Sequence, residues 1–188
     1  MELIFATHNQ HKVDELQQML KGRVLIQSLT DIDFHEDIEE SGKTFDENAY
    51  IKAKSISEKI NRNVFADDSG LVIEALNGEP GIFSARYAGT GNSLDNIAKV
   101  LKKLENEEHR KAYFITVICL IFDGKAHFFE GKVWGNITKE IRGTDGFGYD
   151  PIFVPEGYDK TFAEMSADEK NNISHRYLAT QQLIEFLS

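Results

Sequence analysis

The chain has 188 residues, 41% of them hydrophobic, with a single cysteine and a formal charge of −10. That length supports one sizeable core, and a single domain over residues 1–188 with room for two lobes is expected. The acidic balance excludes duplex nucleic acid as the main partner, because such binding needs a basic face. The lone thiol, Cys119, excludes an intrachain disulfide framework.

No apolar run reaches membrane-spanning length, and Met1 leads straight into a strand-like stretch without a leader. A soluble cytoplasmic protein is expected. Glu2–Thr7 reads as a short buried strand. His11–Lys21 has Val13, Leu16 and Leu20 at helical spacing, with Gly22 as the stop. Arg23–Leu29 is strand-like. Thr44–Ile60 predicts a helix opened by a Thr44/Glu47 capping box, with Phe45, Ala49, Ala53, Ile56 and Ile60 as its apolar stripe. Asn63–Ala66 and Leu71–Leu76 read as separate extended pieces. Ser93–Leu104 predicts a further helix with Leu94, Ile97, Ala98, Leu101 and Leu104 on its apolar face.

Tyr113–Phe122 and Lys125–Ile137 are long strand patterns joined by Asp123-Gly124, a pair that tolerates positive φ and so signals a hairpin. Cys119 falls inside the first of them, as an inert buried thiol. Ser166 and Glu169 form a second capping box. A closing helix starts near Ser174, with Ala179, Leu183 and Phe186 on one face. The alternation predicts an α/β protein built on a mixed sheet flanked by helices.

Four constellations carry possible chemistry. Thr7, His8, Asn9, Gln10, His11 and Lys12 lie where a strand feeds a helix, and backbone N–H groups there favour anions. The alternative is simple capping by Thr7 or Asn9, with Lys12 in water. Next, Asp31, Asp33, Glu36, Asp37, Glu39 and Glu40 place six acids in ten residues, either a solvated loop or a cation site. They precede the helix in which Asn48 and Lys52, four apart, share a face.

The third is Ala66-Asp67-Asp68-Ser69-Gly70-Leu71. Consecutive carboxylates at a strand end can hold a hard cation, and in an extended chain they point to opposite faces. A plain turn is the other reading, since Asp-Ser-Gly suits one. The fourth joins Gly146-Phe147-Gly148-Tyr149-Asp150-Pro151 to Lys170, His175 and Arg176. Rings to stack, an acid to accept and cations to donate would grip a heterocyclic base. One continuous helix would not bring Lys170, His175 and Arg176 to one face, but a break near Ile173 would. Phe147 and Tyr149 as core residues, and His175 as an ordinary surface histidine, are the alternatives.

Taken in order, these motifs resemble the inosine triphosphate pyrophosphatase family, which acts on noncanonical purine nucleoside triphosphates. The resemblance runs through Thr7, Asn9, Lys12 and Glu15, then Ser41, Gly42, Thr44, Phe45, Glu47, Asn48, Ala49, Lys52 and Ala53. It continues through Ala66–Leu71, Pro80–Tyr87 and Gly146–Pro151, and ends with Glu169–Asn171 and Ser174–Arg176. It departs at His8, where the family often has glycine, and in the polar segment Glu105–Ala112.

The resemblance implies an elongated mixed α/β fold with a cleft between two lobes, a homodimer, and Mg²⁺-dependent hydrolysis of ITP, dITP, XTP and dXTP to the monophosphate and pyrophosphate. It implies that Thr7 to Lys12 cradle the phosphates and Lys52 neutralises them. Glu40 and Asp68 would serve metal and water, with Asp68 as general base and Asp67 in support. Ser69 would contact substrate, and Phe147, in the loop with Gly148 and Tyr149, would stack on the base. Asp150, His175 and Arg176 would read its edge, and Lys170 would bridge towards base or sugar. Two rivals stand beside this. A haloacid-dehalogenase-type phosphatase would use Asp67-Asp68 as a nucleophile loop, although that chemistry wants Asp-x-Asp. A nucleotide sensor would bind without cutting.

Overall fold

Short runs of β-branched and aromatic residues form the strands here, and amphipathic runs between them form the helices. The structure, a computed structural model, describes residues 2–20, 24–36 and 38–188. Strand β1 (Glu2–Phe5) leads into α1 (Gln10–Leu20) and β2 (Leu25–Ser28). The expected helix stop at Lys21-Gly22, the strand start at Arg23, and Asp37 of the acidic run lie outside the described residues. Helix α2 (Phe45–Ile60) precedes the ten-residue strand β3 (Val64–Ile73). Helix α3 (Ser93–Lys103) precedes the hairpin of β4 (Lys111–Phe122) and β5 (Lys125–Ile137). Strand β6 (Phe153–Pro155) and helices α4 (Ala167–Asn171) and α5 (His175–Phe186) follow.

The six strands form one sheet in the order β2-β1-β3-β4-β5-β6. β1 runs parallel to β2 and to β3, whereas β5 and β6 are antiparallel. The sheet is therefore mixed, as expected. The Asp123-Gly124 turn has φ of 47° and 75°, the two positive values that a tight hairpin of this twist requires.

The chain divides into two compact units, and β3, β4 and β5 contribute to both. The first comprises Met1–Asp68, Thr116–Gly131 and Arg176–Ser188. Its core packs Leu3 and Phe5 of β1, Leu16 and Leu20 of α1, Phe65 of β3, Ile118 and Leu120 of β4, and Ala179 and Leu183 of α5. Phe5 and Phe65 stack at 4.5 Å. The second comprises Ser69–Ile115 and Lys132–His175. Its core gathers Leu71, Ile73, Ile97, Val100, Phe114, Ile152, Phe153 and Phe162. Among the described residues no helix is long and apolar enough to cross a membrane.

Four local expectations are corrected. Asn63–Ala66 and Leu71–Leu76 are not separate pieces: β3 runs through Asp67-Asp68-Ser69-Gly70 without a turn, and only Glu74–Leu76 leaves it as a short 3-10 helix. The α2 box is half-formed. Thr44 Oγ1 accepts from the Glu47 N–H, but Glu47 Oε2 accepts from Lys43 rather than from Thr44. The α3 cap is Asn92, whose side chain accepts from the Leu94 and Asp95 N–H groups, so Leu94 turns outward at 61% exposure. Phe186 stays 43% exposed while its ring meets Phe122, His127 and Phe129, and Ala179 and Leu183 are buried as expected. The Ser166/Glu169 box forms completely.

Candidate active site

Strand periodicity explains the first cluster, which lies in the first unit. Successive residues of β3 face opposite ways. Asp67 therefore meets one set of partners and Asp68 another. Asp67 Oδ1 accepts from Lys12 Nζ at 2.8 Å, and its Oδ2 stands 3.7 Å from Arg176 Nε. Asp68 Oδ2 accepts from Asn48 Nδ2 at 3.1 Å, and its Oδ1 lies 3.6 Å from Lys52 Nζ. Lys52 donates at 2.8 Å to Glu40. The four-residue step from Asn48 to Lys52 along α2 thus delivers both to Asp68. Asn48 is fixed from behind by the Gly42 N–H at 2.9 Å, where a Cβ on Gly42 would stand only 2.6 Å from the amide oxygen.

Side-chain burial sharpens these charges. Asp67 and Arg176 are each 2% exposed, and Lys52 is 8% exposed rather than a solvated lysine. Burial would raise the Asp67 pKa, but Lys12, Arg176 and Lys52 outweigh it and hold that carboxyl well below the usual range. Burial raises Asp68 instead, with Glu40 adding to it, and Lys52 and Asn48 only partly oppose the rise. Burial also pulls Lys12 down against the pull of Asp67. For Lys52, burial is outweighed by Asp68, Asp67 and Glu40, which raise it.

The start loop makes the capping contacts that were one of the two expectations for it. The Asn9 N–H donates to Thr7 Oγ1 at 3.1 Å, and the Lys12 N–H meets Asn9 Oδ1 at 3.4 Å, so these donors are engaged within the loop. Gln10 donates to Asp14 at 2.8 Å, and His8 and His11 are exposed. In the acidic run, Asp31 accepts from the Ser28 N–H at 2.7 Å, Glu36 pairs with Lys59, and Asp33 is open to water. Among the described residues of this run, Glu40 alone joins Asp68 and Lys52.

The second cluster lies wholly in the second unit. Asp150 Oδ2 accepts from the Phe147 N–H at 2.8 Å and from Lys170 Nζ at 2.7 Å. The Lys170 ammonium stands 4.4 Å from the centre of the Phe147 ring. Gly146, at φ 76°, is required here: a Cβ would sit 2.3 Å from Asp150 Oδ2. Phe147 is half-buried, as is Ser69, and Gly148 has open space about its Cα. Tyr149 takes the core role that had been the alternative: it is buried and its hydroxyl donates to the Ser84 carbonyl at 2.7 Å.

The expected break between α4 and α5 is present, yet His175 and Arg176 part company. His175 is buried, not a surface histidine, and stacks on Phe114 at 4.8 Å and 11°. Arg176 NH1 pairs with Glu15 in the first unit. Adjacent helical positions diverge by about 100°, so the two side chains meet different protein partners. Asn48 is marked in the sequence through its spacing of four from Lys52. The contacts of Glu15 and Ser84 were not foreseen: Glu15 carried a signal in its spacing of three from Lys12, whereas Ser84 carried none.

The acids fit a hard cation on their own chemistry. Among the described residues no three metal-binding side chains gather together. Mg²⁺ needs only one or two carboxylates when substrate phosphates complete its shell. Asp68 and Glu40, from different elements, already converge on one positive group, the Lys52 ammonium at 3.6 and 2.8 Å.

The fold and this cluster define an α/β protein whose paired acids and lysines suit a polyphosphate with a divalent cation. The chain belongs to the Ham1 family, whose family model matches residues 3–186. It is 51% identical to the dITP/XTP pyrophosphatase of Flavobacterium psychrophilum, over 99% of this chain and 98% of that one. The Porphyromonas gingivalis dITP/XTP pyrophosphatase is 50% identical over 99% and 97%. Among solved structures, the Staphylococcus aureus Ham1 protein superposes with a TM-score of 0.91 at 41% identity, covering 100% of this chain and 98% of that one.

Proposed function

We infer that this protein is a hydrolase that cleaves noncanonical purine nucleoside triphosphates, dITP, XTP, ITP and dXTP, to the monophosphate and pyrophosphate, with Mg²⁺ as cofactor. The observation that carries the reading is the pair Asp67-Asp68 in mid-strand, each facing a buried or half-buried lysine. A structural turn would not need two buried acids, and a mere binder of polyphosphate would gain nothing from them. Relatives at about half identity over nearly the whole chain supply the reaction class.

The chemistry assigned to each residue follows from its charge and surroundings. Lys12 and Lys52 bind the phosphates, with Thr7 to His11 shaping the loop beside them and Ser69 as a further contact. Asp68 and Glu40 would hold Mg²⁺, which when bound would supply positive charge against the phosphates. Asp68 accepts the proton of the attacking water, a role its raised pKa favours over Asp67. The water oxygen bonds to the α-phosphorus, the α–β bridging bond breaks, and pyrophosphate leaves with its charge countered by the lysines. Asp67 stays ionised and holds Lys12.

Phe147, within the Gly146–Asp150 loop, is assigned to stack on the base. Lys170 donates to the 6-oxo group, Asp150 steadies Lys170, and His175 is assigned to the edge of the base. Adenine carries an amino donor where these purines carry an oxo acceptor. A buried mismatch of that kind leaves polar groups unpaired, and sites of this type discriminate by about 10⁴-fold. Arg176, with its guanidinium at Glu15 and Asp67, is assigned to the acid cluster. We further propose that residues 1–188 act as one functional domain, in a cytoplasmic homodimer.

Product analysis on XTP, dITP, ATP and GTP tests the reaction. Pyrophosphate should be released from XTP and dITP with Mg²⁺ and not in excess EDTA. Orthophosphate release would favour the dehalogenase-type reading, and absence of any product would favour the sensor. Light scattering behind size exclusion tests the dimer.

A further inference from the structure

The start motif ends on Glu15, a residue with no part in the chemistry above. Glu15 follows Lys12 by three positions on α1, so the two share a helix face. Its Oε2 pairs with Arg176 NH1, and Arg176 Nε stands 3.7 Å from Asp67 Oδ2. Asp67 Oδ1 accepts from Lys12 Nζ at 2.8 Å. Four charges thus alternate in sign along one line, Glu15, Arg176, Asp67 and Lys12, all within the first unit.

One carboxylate in that line serves two cations, and it bonds the ammonium more closely than the guanidinium. A guanidinium matches a carboxylate better than an ammonium does, because its planar fork can donate two bonds at once. Left to itself, Arg176 would turn its fork on both oxygens of Asp67 and compete with Lys12 for Oδ1. The Glu15 carboxylate holds its NH1 end and opposes that collapse.

We propose that Glu15 is a positioning residue for the phosphate grip: it anchors Arg176, reserves Asp67 for Lys12, and so fixes where the Lys12 ammonium meets phosphate. This deepens the functional reading, on which it rests for Lys12 as a phosphate ligand. The interaction is electrostatic and lies outside bond-making, so its loss weakens binding and spares turnover.

The test compares wild type, Glu15→Gln and Glu15→Asp. Steady-state kinetics are measured on XTP with Mg²⁺, and binding of inorganic tripolyphosphate with Mg²⁺ is measured by calorimetry. Glu15→Gln keeps the side-chain shape and removes the charge. It should raise KM and the tripolyphosphate Kd together by about tenfold, less than direct loss of a buried charge partner would, because Lys12 itself stays in place, and change kcat by no more than about twofold. Glu15→Asp, which keeps the charge, should recover most of the lost affinity. Unchanged KM and Kd in Glu15→Gln overturn the proposal. So does a parallel fall in kcat and melting temperature with no selective loss of phosphate affinity, or a Glu15→Asp variant no better than Glu15→Gln. A wild-type protein that releases no pyrophosphate from XTP overturns the reaction instead, and the tripolyphosphate arm still decides Glu15.

Discussion

Replacing Asp67 by asparagine isolates the electrostatics of the first cluster, because the new side chain has nearly the same shape and no charge. In the native protein this carboxylate sits 2.8 Å from Lys12 Nζ and 3.7 Å from Arg176 Nε, and it is 2% exposed. Breaking a buried pair from one side costs about 3–5 kcal/mol, since a charge is left without its counterpart. Two features place Asp67→Asn near the lower end. The Lys12 side chain is 19% exposed and can turn towards water, and Arg176 keeps Glu15. A loss of about 3 kcal/mol in a chain of this size lowers the melting temperature by about 6–12 °C. The assay is thermal unfolding of both proteins in EDTA, followed across pH. The folded Asp67 pKa lies below its ordinary 3.8, so its stabilisation is complete above that value. It is lost as pH falls through the lower folded pKa. The gap between the two proteins should therefore be full at pH 7 and shrink below about pH 4. A gap under about 2 °C at pH 7, or one that widens in acid, would refute the account of Asp67 as the ionised centre of this cluster.

Asp68→Asn should lower kcat on XTP by about 10²–10⁴-fold, as removal of a positioned base does, while tripolyphosphate still binds in calorimetry; near-normal turnover takes Asp68 out of its role. Tyr149→Phe removes a buried hydrogen bond to the Ser84 carbonyl, which still meets Asn96 Nδ2 at 3.4 Å. The cost should be about 1 kcal/mol in urea unfolding, and a loss above about 3 kcal/mol would mean that the hydroxyl supports more than this bond. Cys119 is fully buried, and burial pushes its thiol up to about 12, so thiol reagents at pH 8 should label it only at the rate of unfolding. Rapid labelling of the native protein would contradict its place in the core.

Where a local pattern agreed with its tertiary setting, the sequence was a sufficient guide. The Asp123-Gly124 hairpin, the Ser166 box and the α4–α5 break each need only neighbouring residues, and each is present. β3 was misread because Asp-Asp-Ser-Gly has turn chemistry, and only lysines and an arginine distant in sequence make an extended run of acids tolerable there. The apolar face of α3 was displaced for a similar reason. Asn96 is buried instead of Leu94, because its amide takes the Ala88 N–H at 2.7 Å and donates to the Ala85 carbonyl at 3.2 Å. No helical periodicity encodes a buried asparagine, since its partners lie in the 3-10 turn Gly81–Arg86 and the loop after it. The same limit applies to Arg176: nothing beside it in sequence announces its partners, Glu15 on α1 and Asp67 on β3.

The two adjacent acids show how one backbone step divides the labour. Asp67 and Asp68 have the same chemistry and nearly the same burial, yet their pKa values move in opposite directions. Strand alternation aims one at Lys12 and Arg176, whose combined charge outweighs the cost of desolvation, so it remains an anion and a holder of cations. It aims the other at one lysine that Glu40 already engages, so desolvation prevails and its affinity for a proton rises. Acid and base assignments follow from such divergence between paired groups. A single residue inserted between them would put both carboxylates on one face, where each would suppress ionisation of the other and the lysine on the opposite face would lose its partner on β3.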